Sequence, residues 1–114
     1  MKRKDKLVEA ALNFAVELHG MSDRFPEQQM ELLLFEIIRE SISICVCIDM
    51  AVMLDDEETK KEYLPKAYSA TFRIEVLLEI SRELKYLETI DRQLRALEHI
   101  RDGVDRRINR RESF

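Results

Sequence analysis

The sequence predicts an all-α fold, an antiparallel up-down-up-down four-helix bundle. Apolar residues recur at alternating steps of three and four in four segments of the chain, and this spacing places them on one face of a helix. Only two glycines and two prolines occur among 114 residues, too few for a turn-rich β fold. The joints between the segments are short, so we expect neighbouring helices to be antiparallel within one domain covering residues 1–114.

The first two helices are expected at about residues 5–21 and 26–54. Gly20 ends the first helix, and Pro26 suits the first turn of the second because its fixed φ and missing N–H are tolerated there. The stripe of the first helix is Leu7, Ala11, Phe14 and Leu18. The stripe of the second is Met30, Leu34, Ile37, Ser41, Ile44, Ile48 and Ala51.

The third and fourth helices are expected at about residues 60–86 and 89–110. Pro65 is unfavourable inside a helix, so the third helix should either begin near Leu64 or contain an irregular turn there. Glu88 or Thr89 should open the fourth helix. The stripe of the third helix is Leu64, Ala67, Thr71, Ile74, Leu78 and Ser81. The stripe of the fourth is Ile90, Leu94, Leu97, Val104 and Ile108.

Three hydroxyl side chains interrupt these apolar stripes: Ser41, Thr71 and Ser81. We expect each to be nearly buried, because it occupies a core position. Its hydroxyl should donate to a backbone carbonyl one turn earlier, as Ser and Thr do inside helices.

The second helix carries more apolar residues than one stripe can hold. Five of them lie off the stripe and should face outwards: Leu32, Phe35, Ile42, Val46 and Met53. Monomers rarely expose a contiguous apolar surface of this kind, and such surfaces usually contact a partner. The sequence therefore favours self-association through the second helix. The alternative is a bundle in which this helix is simply the most buried member.

No motif in the chain indicates catalysis or metal binding. Cys45 and Cys47 lie about 200° apart around a helix, so they cannot share a metal ion or form a disulfide together. His19 and His99 lack the glutamate three residues earlier that a di-iron bundle requires. No nucleophile elbow, phosphate-binding loop or zinc pattern is present. We therefore expect no enzymatic activity, no cofactor and no metal.

Two further features concern the compartment. The basic first six residues are followed by Glu9 and Glu17 rather than by the apolar core of a secretory signal. The longest apolar stretch, residues 41–48, is far shorter than the roughly 20 residues that span a bilayer. A cytoplasmic protein without a membrane contact is expected.

Basic residues are concentrated at the two chain termini, although the formal net charge is −4. In an up-down bundle both termini lie at one end, so this cluster is a candidate contact for nucleic acid or a protein partner. The acidic joint at residues 55–58 lies at the same end. The alternative to a partner contact is that this joint neutralises the basic cluster. The candidate residues, including two earlier in the fourth helix, are Lys2, Arg3, Lys4, Lys6, Arg92, Arg95, Arg106, Arg107, Arg110 and Arg111.

Three segments of the chain resemble a known family. They are Arg24-Phe25-Pro26 before the second helix, Leu64-Pro65-Lys66-Ala67 in the third, and Leu-Leu-Glu-Ile-Ser-Arg-Glu-Leu-Lys at residues 77–85. The chain resembles the four-helix-bundle proteins of intervening sequences in 23S ribosomal RNA genes. Within that family it is most similar to the accessory variability determinant (Avd) of diversity-generating retroelements.

The resemblance implies a homopentameric barrel without enzymatic activity. In the Avd branch it further implies association with a reverse transcriptase and its RNA or DNA. In the ribosomal branch it implies a stand-alone oligomeric bundle with a structural or unknown role. This chain differs from the Avd pattern in its acidic net charge and in Glu75 and Glu79, where Avd proteins often carry arginine or lysine.

Overall fold

The computed structural model describes residues 5–110, with the side chains of all but residues 29–31 and 110. Within this range the chain forms four long helices and no strand, which confirms the predicted all-α class. We label them α1 (Lys6–His19), α2 (27–54), α3 (Glu57–Glu83) and α4 (Asp91–Arg110). A short 3-10 turn, Ser22–Arg24, lies between α1 and α2.

The four helices follow one another around the bundle. α1 packs against α2 and α4, and α3 packs against the same two helices. At one end Arg107 Nη2 lies 2.7 Å from Asp5 Oδ2, which brings the start of α1 to the last turns of α4. At the other end the rings of Phe25 and Tyr86 lie 5.8 Å apart, joining the α1–α2 and α3–α4 connections. The predicted up-down-up-down arrangement is therefore the one observed.

α2 begins with an irregular turn that the sequence pattern does not predict. Its α-helical stretches Glu27–Gln29 and Phe35–Leu54 are joined by a π-helical turn at Met30–Leu34. A regular helix would separate consecutive side chains by about 100°. Here Leu33 and Leu34 are both buried. The helix expected over about 26–54 is thus observed over 27–54, with a π-helical turn where both leucines reach the core.

α3 begins earlier than expected. Asp55 ends α2 in the left-handed conformation with φ 49°. The next residue starts the new helix at once, because Asp56 Oδ1 accepts a hydrogen bond from the Thr59 N–H at 2.8 Å. α3 thus begins at Glu57, slightly before the expected residue 60, and the alternative start near Leu64 is wrong.

Pro65 lies inside α3 and does not end it. A proline removes one backbone hydrogen bond, that to the carbonyl four residues earlier. Both Pro65 and Lys61 are exposed, so water can bond to this carbonyl. α4 begins at Asp91, slightly later than expected, and the Asp91 N–H donates to Thr89 Oγ1 at 3.3 Å.

The core follows the predicted stripes, and the three hydroxyl residues behave as expected. Ser41, Thr71 and Ser81 are all buried. Their hydroxyls donate to the carbonyls of Ile38 (2.7 Å), Tyr68 (2.7 Å) and Leu77 (2.9 Å), respectively. The register of the α2 and α3 stripes is thereby confirmed.

Gly103 brings α4 close to α1. A Cβ atom at this position would lie 2.7 Å from Leu7 Cδ1, so no larger residue fits without movement of Leu7. This contact and the Asp5–Arg107 pair hold the two terminal helices together. None of the described helices is long and apolar enough to cross a membrane.

Candidate interaction surfaces

The outward face of α2 carries a second stripe, on the side of the helix opposite the core stripe. Its residues step alternately by four and three, and we call this set the outer strip: Phe35, Arg39, Ile42, Val46, Asp49 and Met53. The five apolar residues predicted to face outwards, namely Leu32, Phe35, Ile42, Val46 and Met53, are 46–68% exposed. Their burial between subunits stays a prediction.

The exposed apolar surface extends beyond α2 on both sides. Leu12 and Val16 are exposed on α1, and Phe72, Val76 and Ile80 are exposed on α3. The described part of α4 exposes no large apolar side chain. The bundle therefore has one polar helix and three helices with apolar outer surfaces. Neither the α1 nor the α3 residues were singled out from the sequence, because each helix alone shows only two or three of them.

Two open grooves lie beside the outer strip. The groove between α1 and α2 has a volume of about 340 Å³ and is lined by His19, Phe35, Ile38, Arg39 and Ile42. Its lining is mainly apolar, with one histidine and one arginine. Such a groove fits an apolar side chain of a partner better than a charged ligand.

The groove between α2 and α3 is larger, about 420 Å³, and is bordered by charge. Phe72, Val76 and Leu77 provide its apolar side, and Glu36, Glu40 and Arg73 line it as well. Arg73 Nε lies 3.0 Å from Glu40 Oε1, so two of these charges neutralise each other. This groove thus combines an apolar side with the Arg73–Glu40 ion pair.

The basic end is only partly available for contacts. Arg107 pairs with Asp5 at 2.7 Å, whereas Arg106 and Lys6 are exposed. Arg106 forms no ion pair with another described side chain. Lys2, Arg3, Lys4 and Arg111, with the side chain of Arg110, lie outside the described residues.

Arg92 and Arg95 lie apart from this cluster. Arg92 and Arg106 are separated by roughly 20 Å along α4, given a rise of 1.5 Å per residue. Arg92 Nε pairs with Glu17 Oε2 at 2.7 Å, although the arginine side chain stays 79% exposed. Arg95 is exposed and, in the described part of the chain, has no ion-pair partner. The structure therefore places Arg92 and Arg95 in the first half of α4, and Arg106 and Arg107 in its last turns.

The acidic joint is engaged locally. Asp55 Oδ1 pairs with Lys60 Nζ at 2.7 Å. The pKa of Asp56 is lowered by hydrogen bonds from the Thr59 N–H and hydroxyl. Both carboxylates therefore bind groups at the start of α3. Among the described residues, the carboxylate that pairs with the basic end is Asp5, through Arg107.

Arg101 is a central charged residue that sequence reasoning missed. Its Nε donates to Thr71 Oγ1 at 2.9 Å, its Nη2 donates to Glu75 Oε1 at 2.6 Å, and its guanidinium lies 3.8 Å from the Phe72 ring centroid. The sequence does contain an indication of this role, because position 101 follows Leu97 by four residues and so lies in the apolar stripe of α4. A charge in an apolar stripe indicates a buried partner on the facing helix.

The cysteines have no chemical role that the geometry supports. Cys45 Sγ donates to the Ala11 carbonyl oxygen at 3.0 Å, and burial together with the charge of Asp49 raises its pKa to about 11. Burial also raises the pKa of Cys47. Both thiols are therefore protonated and unreactive at neutral pH. No group of three or more His, Cys, Asp and Glu side chains within the described residues could hold a metal ion.

Comparisons with protein-family models, with curated proteins and with solved structures find no match to this chain. The fold and surfaces define an all-α bundle with an apolar outer strip. Membership of the Avd or ribosomal-intervening-sequence family stays a prediction from the three sequence segments.

Proposed function

We propose that this protein is a non-enzymatic homo-oligomer that serves as an accessory to a larger nucleic-acid machine. The observation that carries self-association is the outer strip with its exposed apolar neighbours on α1 and α3. Contact of this apolar surface with water is unfavourable, and association with a second copy of the chain would bury the surface. The resemblance to Avd adds a specific form, a ring of five copies.

Self-association is tested by replacing Ile42 with aspartate. Ile42 is exposed in the single chain, so the bundle should fold normally and keep its helical circular dichroism. At an interface the new carboxylate would be buried without a partner, which is costly. We expect Ile42→Asp to reduce the mass measured by light scattering to that of the 13.6 kDa chain.

The matched control is Ser22→Asp, which adds the same charge at an exposed position in the connection between α1 and α2. It should leave the mass unchanged. A wild-type mass near 13.6 kDa at micromolar concentration would contradict self-association altogether. A mass of five copies would support the ring implied by the resemblance.

The accessory role rests on the resemblance and on charge at α4. Arg95 and Arg106 are exposed on this polar helix. Oligomerisation would repeat these cations several times on one particle, and repeated cations bind a phosphate backbone more strongly than a single set. We propose contact with a reverse transcriptase and its RNA or DNA template as the function. The stand-alone structural bundle is the alternative.

The accessory role is tested by binding to RNA at several salt concentrations, with and without a reverse transcriptase. Reversal of Arg106, Arg110 and Arg111 to glutamate should abolish binding. Arg107 is kept, because its loss would also break the Asp5 pair. Wild-type affinity should fall steeply with salt, since each neutralised phosphate releases counterions.

The control reverses three lysines outside the candidate set, Lys61, Lys66 and Lys85, and so changes the net charge equally. It should retain binding if the position of the cations matters. Absence of wild-type binding at low salt, with the polymerase present, would favour the stand-alone structural bundle.

A further inference from the structure

We propose that the outer strip of α2 pairs antiparallel with the outer strip of a second copy, about a two-fold axis level with residue 44. This inference rests on the proposed self-association and specifies its geometry. It follows from the order of residues along the strip. At equal distances on either side of residue 44, apolar residues match apolar residues and the two charged residues have opposite signs.

The outer strip has the spacing of a coiled-coil seam. Its positions, 35, 39, 42, 46, 49 and 53, step alternately by four and three residues. Four of them are exposed apolar side chains. The other two are Arg39 and the half-buried Asp49. The Arg39 side chain is 75% exposed, with its Nη1 3.4 Å from Glu36 Oε2 in the same helix. α2 thus carries a core seam on one side and a second seam on the other.

An antiparallel pairing centred on residue 44 matches every position of the strip. Phe35 faces Met53 of the second copy, and Ile42 faces Val46. Arg39 faces Asp49, so each charge meets an opposite charge, twice per dimer. All of these pairs lie at equal distances on either side of residue 44.

Other pairings of the same strip are worse. A shift of one heptad in one direction places Arg39 opposite Ile42, and a shift in the other places Asp49 opposite Val46. Each of these buries a charge against an apolar side chain, which is costly. A parallel pairing places Arg39 opposite Arg39 and Asp49 opposite Asp49, so like charges meet. Only the antiparallel register centred on residue 44 avoids both penalties.

The surface around the strip fits this partner. The groove between α1 and α2 opens beside Phe35, at the level where Met53 of the second copy would lie. A methionine side chain is flexible and fills irregular apolar space well. Leu12 and Val16 on α1 extend the apolar surface on the same side.

The contact has a consequence for the assembly. A two-fold pair uses the same surface on both copies and is complete with two chains. A ring of five requires two different surfaces on each chain. The outer strip therefore predicts an even number of chains: a dimer, or two rings that form on another surface such as Phe72, Val76 and Ile80 and are joined through the strip. An assembly of five chains would overturn the pairing and leave self-association intact.

Charge reversal tests the register. Arg39→Asp alone and Asp49→Arg alone each place like charges opposite one another twice per dimer. We expect each to raise the dimer dissociation constant at least about tenfold, measured by analytical ultracentrifugation. The double variant with both changes restores opposite charges and should bind within about threefold of wild type. Mixing the two single variants should give a heterodimer more stable than either homodimer.

The control is Lys61→Asp, a reversal of an exposed charge on α3, which should not change the dissociation constant. An oligomer that is insensitive to both single reversals would overturn the antiparallel pairing and leave self-association intact. So would a double variant that stays dissociated. A wild-type monomer would overturn the pairing and the proposed self-association together.

A second measurement does not depend on weakening the dimer. Arg39→Lys keeps the charge and supplies an amine, which a carbodiimide can join to a facing carboxylate as an amide bond with loss of water. We expect a covalent dimer of twice 13.6 kDa that disappears in the Arg39→Lys, Asp49→Asn double variant. A cross-link to Glu36 within the same chain, with no covalent dimer, would overturn the pairing.

Discussion

At the scale of single residues, Asp5 links the first turn of α1 to the last turns of α4. Its Oδ1 accepts the Leu7 and Val8 N–H groups at 2.9 and 3.1 Å, so it caps α1. Its Oδ2 accepts from Arg107 on α4 at 2.7 Å. Burial alone would raise the pKa of Asp5, but the hydrogen bond from Arg107 and those from the backbone lower it below its ordinary value of 3.8.

The stability contributed by Asp5 should depend on pH. Because its pKa is lower in the folded state, the contribution is complete above pH 3.8 and is lost as the pH falls through the folded value. Asp5→Ala removes the cap and the ion pair, and we expect a cost of about 1–2 kcal/mol at pH 7. Urea unfolding should show this difference shrinking below pH 3.8.

Asp5→Asn separates the two contributions, because asparagine is also a good cap but carries no charge. It should lose only the ion pair, about 0–1 kcal/mol at pH 7. A difference from wild type that persisted unchanged at the lowest pH of folding would contradict the charge contribution.

At the scale of helices, Arg101 joins α4 to α3. It occupies a position of the apolar stripe and binds two groups on α3, Thr71 and Glu75. Its planar guanidinium also covers the ring of Phe72. Lysine cannot replace these contacts, because it is a point charge without a planar fork. A single arginine thus makes three contacts across one helix pair.

Arg101→Ala should therefore be among the more destabilising substitutions outside the apolar core. Removal of one partner leaves the half-buried Glu75 carboxylate and the Thr71 hydroxyl without their donor, and we expect a loss of about 2–3 kcal/mol in the free energy of unfolding. Glu75→Ala in the Arg101→Ala background should cost much less than in wild type. Chemical denaturation measures both.

Arg95→Ala is the matched control on the same helix. Arg95 is exposed, so its loss should change stability by less than about 0.5 kcal/mol. Equal costs for the two alanine variants would show that Arg101 stabilises no more than a surface residue does.

At the scale of the whole molecule, three of the four helices expose apolar surface and one does not. α4 is polar outside, whereas α1, α2 and α3 present Val16, Ile42 and Val76 to solvent. This asymmetry separates two regions of the bundle. The apolar side is available for other copies of the chain, and the polar α4 side stays accessible for charged partners.

Self-association should couple to thermal stability. A partner that binds only the folded chain stabilises it by mass action, so the melting temperature of the wild type should rise with protein concentration. Ile42→Asp removes the association, and its melting temperature should be independent of concentration. Differential scanning calorimetry over a hundredfold concentration range measures this. A concentration-independent wild type would contradict the oligomer.

The local periodicity of the chain was sufficient to predict the helices, their core faces and the outward position of Phe35 and Ile42. The buried hydroxyls of Ser41, Thr71 and Ser81 were predicted for the same reason. A stripe spaced by three and four residues depends only on helix geometry, and each helix carries its own stripe. The position of Arg107 at the same end as the start of α1 likewise followed from the helix order alone.

Tertiary contacts decided the rest. The π-helical turn at Met30–Leu34 arises where two consecutive leucines both reach the core. Asp5 and Glu17 on α1 bind Arg107 and Arg92 on α4, which leaves fewer free cations than the sequence suggests. Arg101 finds its partners on α3. These contacts join residues distant in the chain, so no local pattern contains them, and only the packing of the helices brings them together.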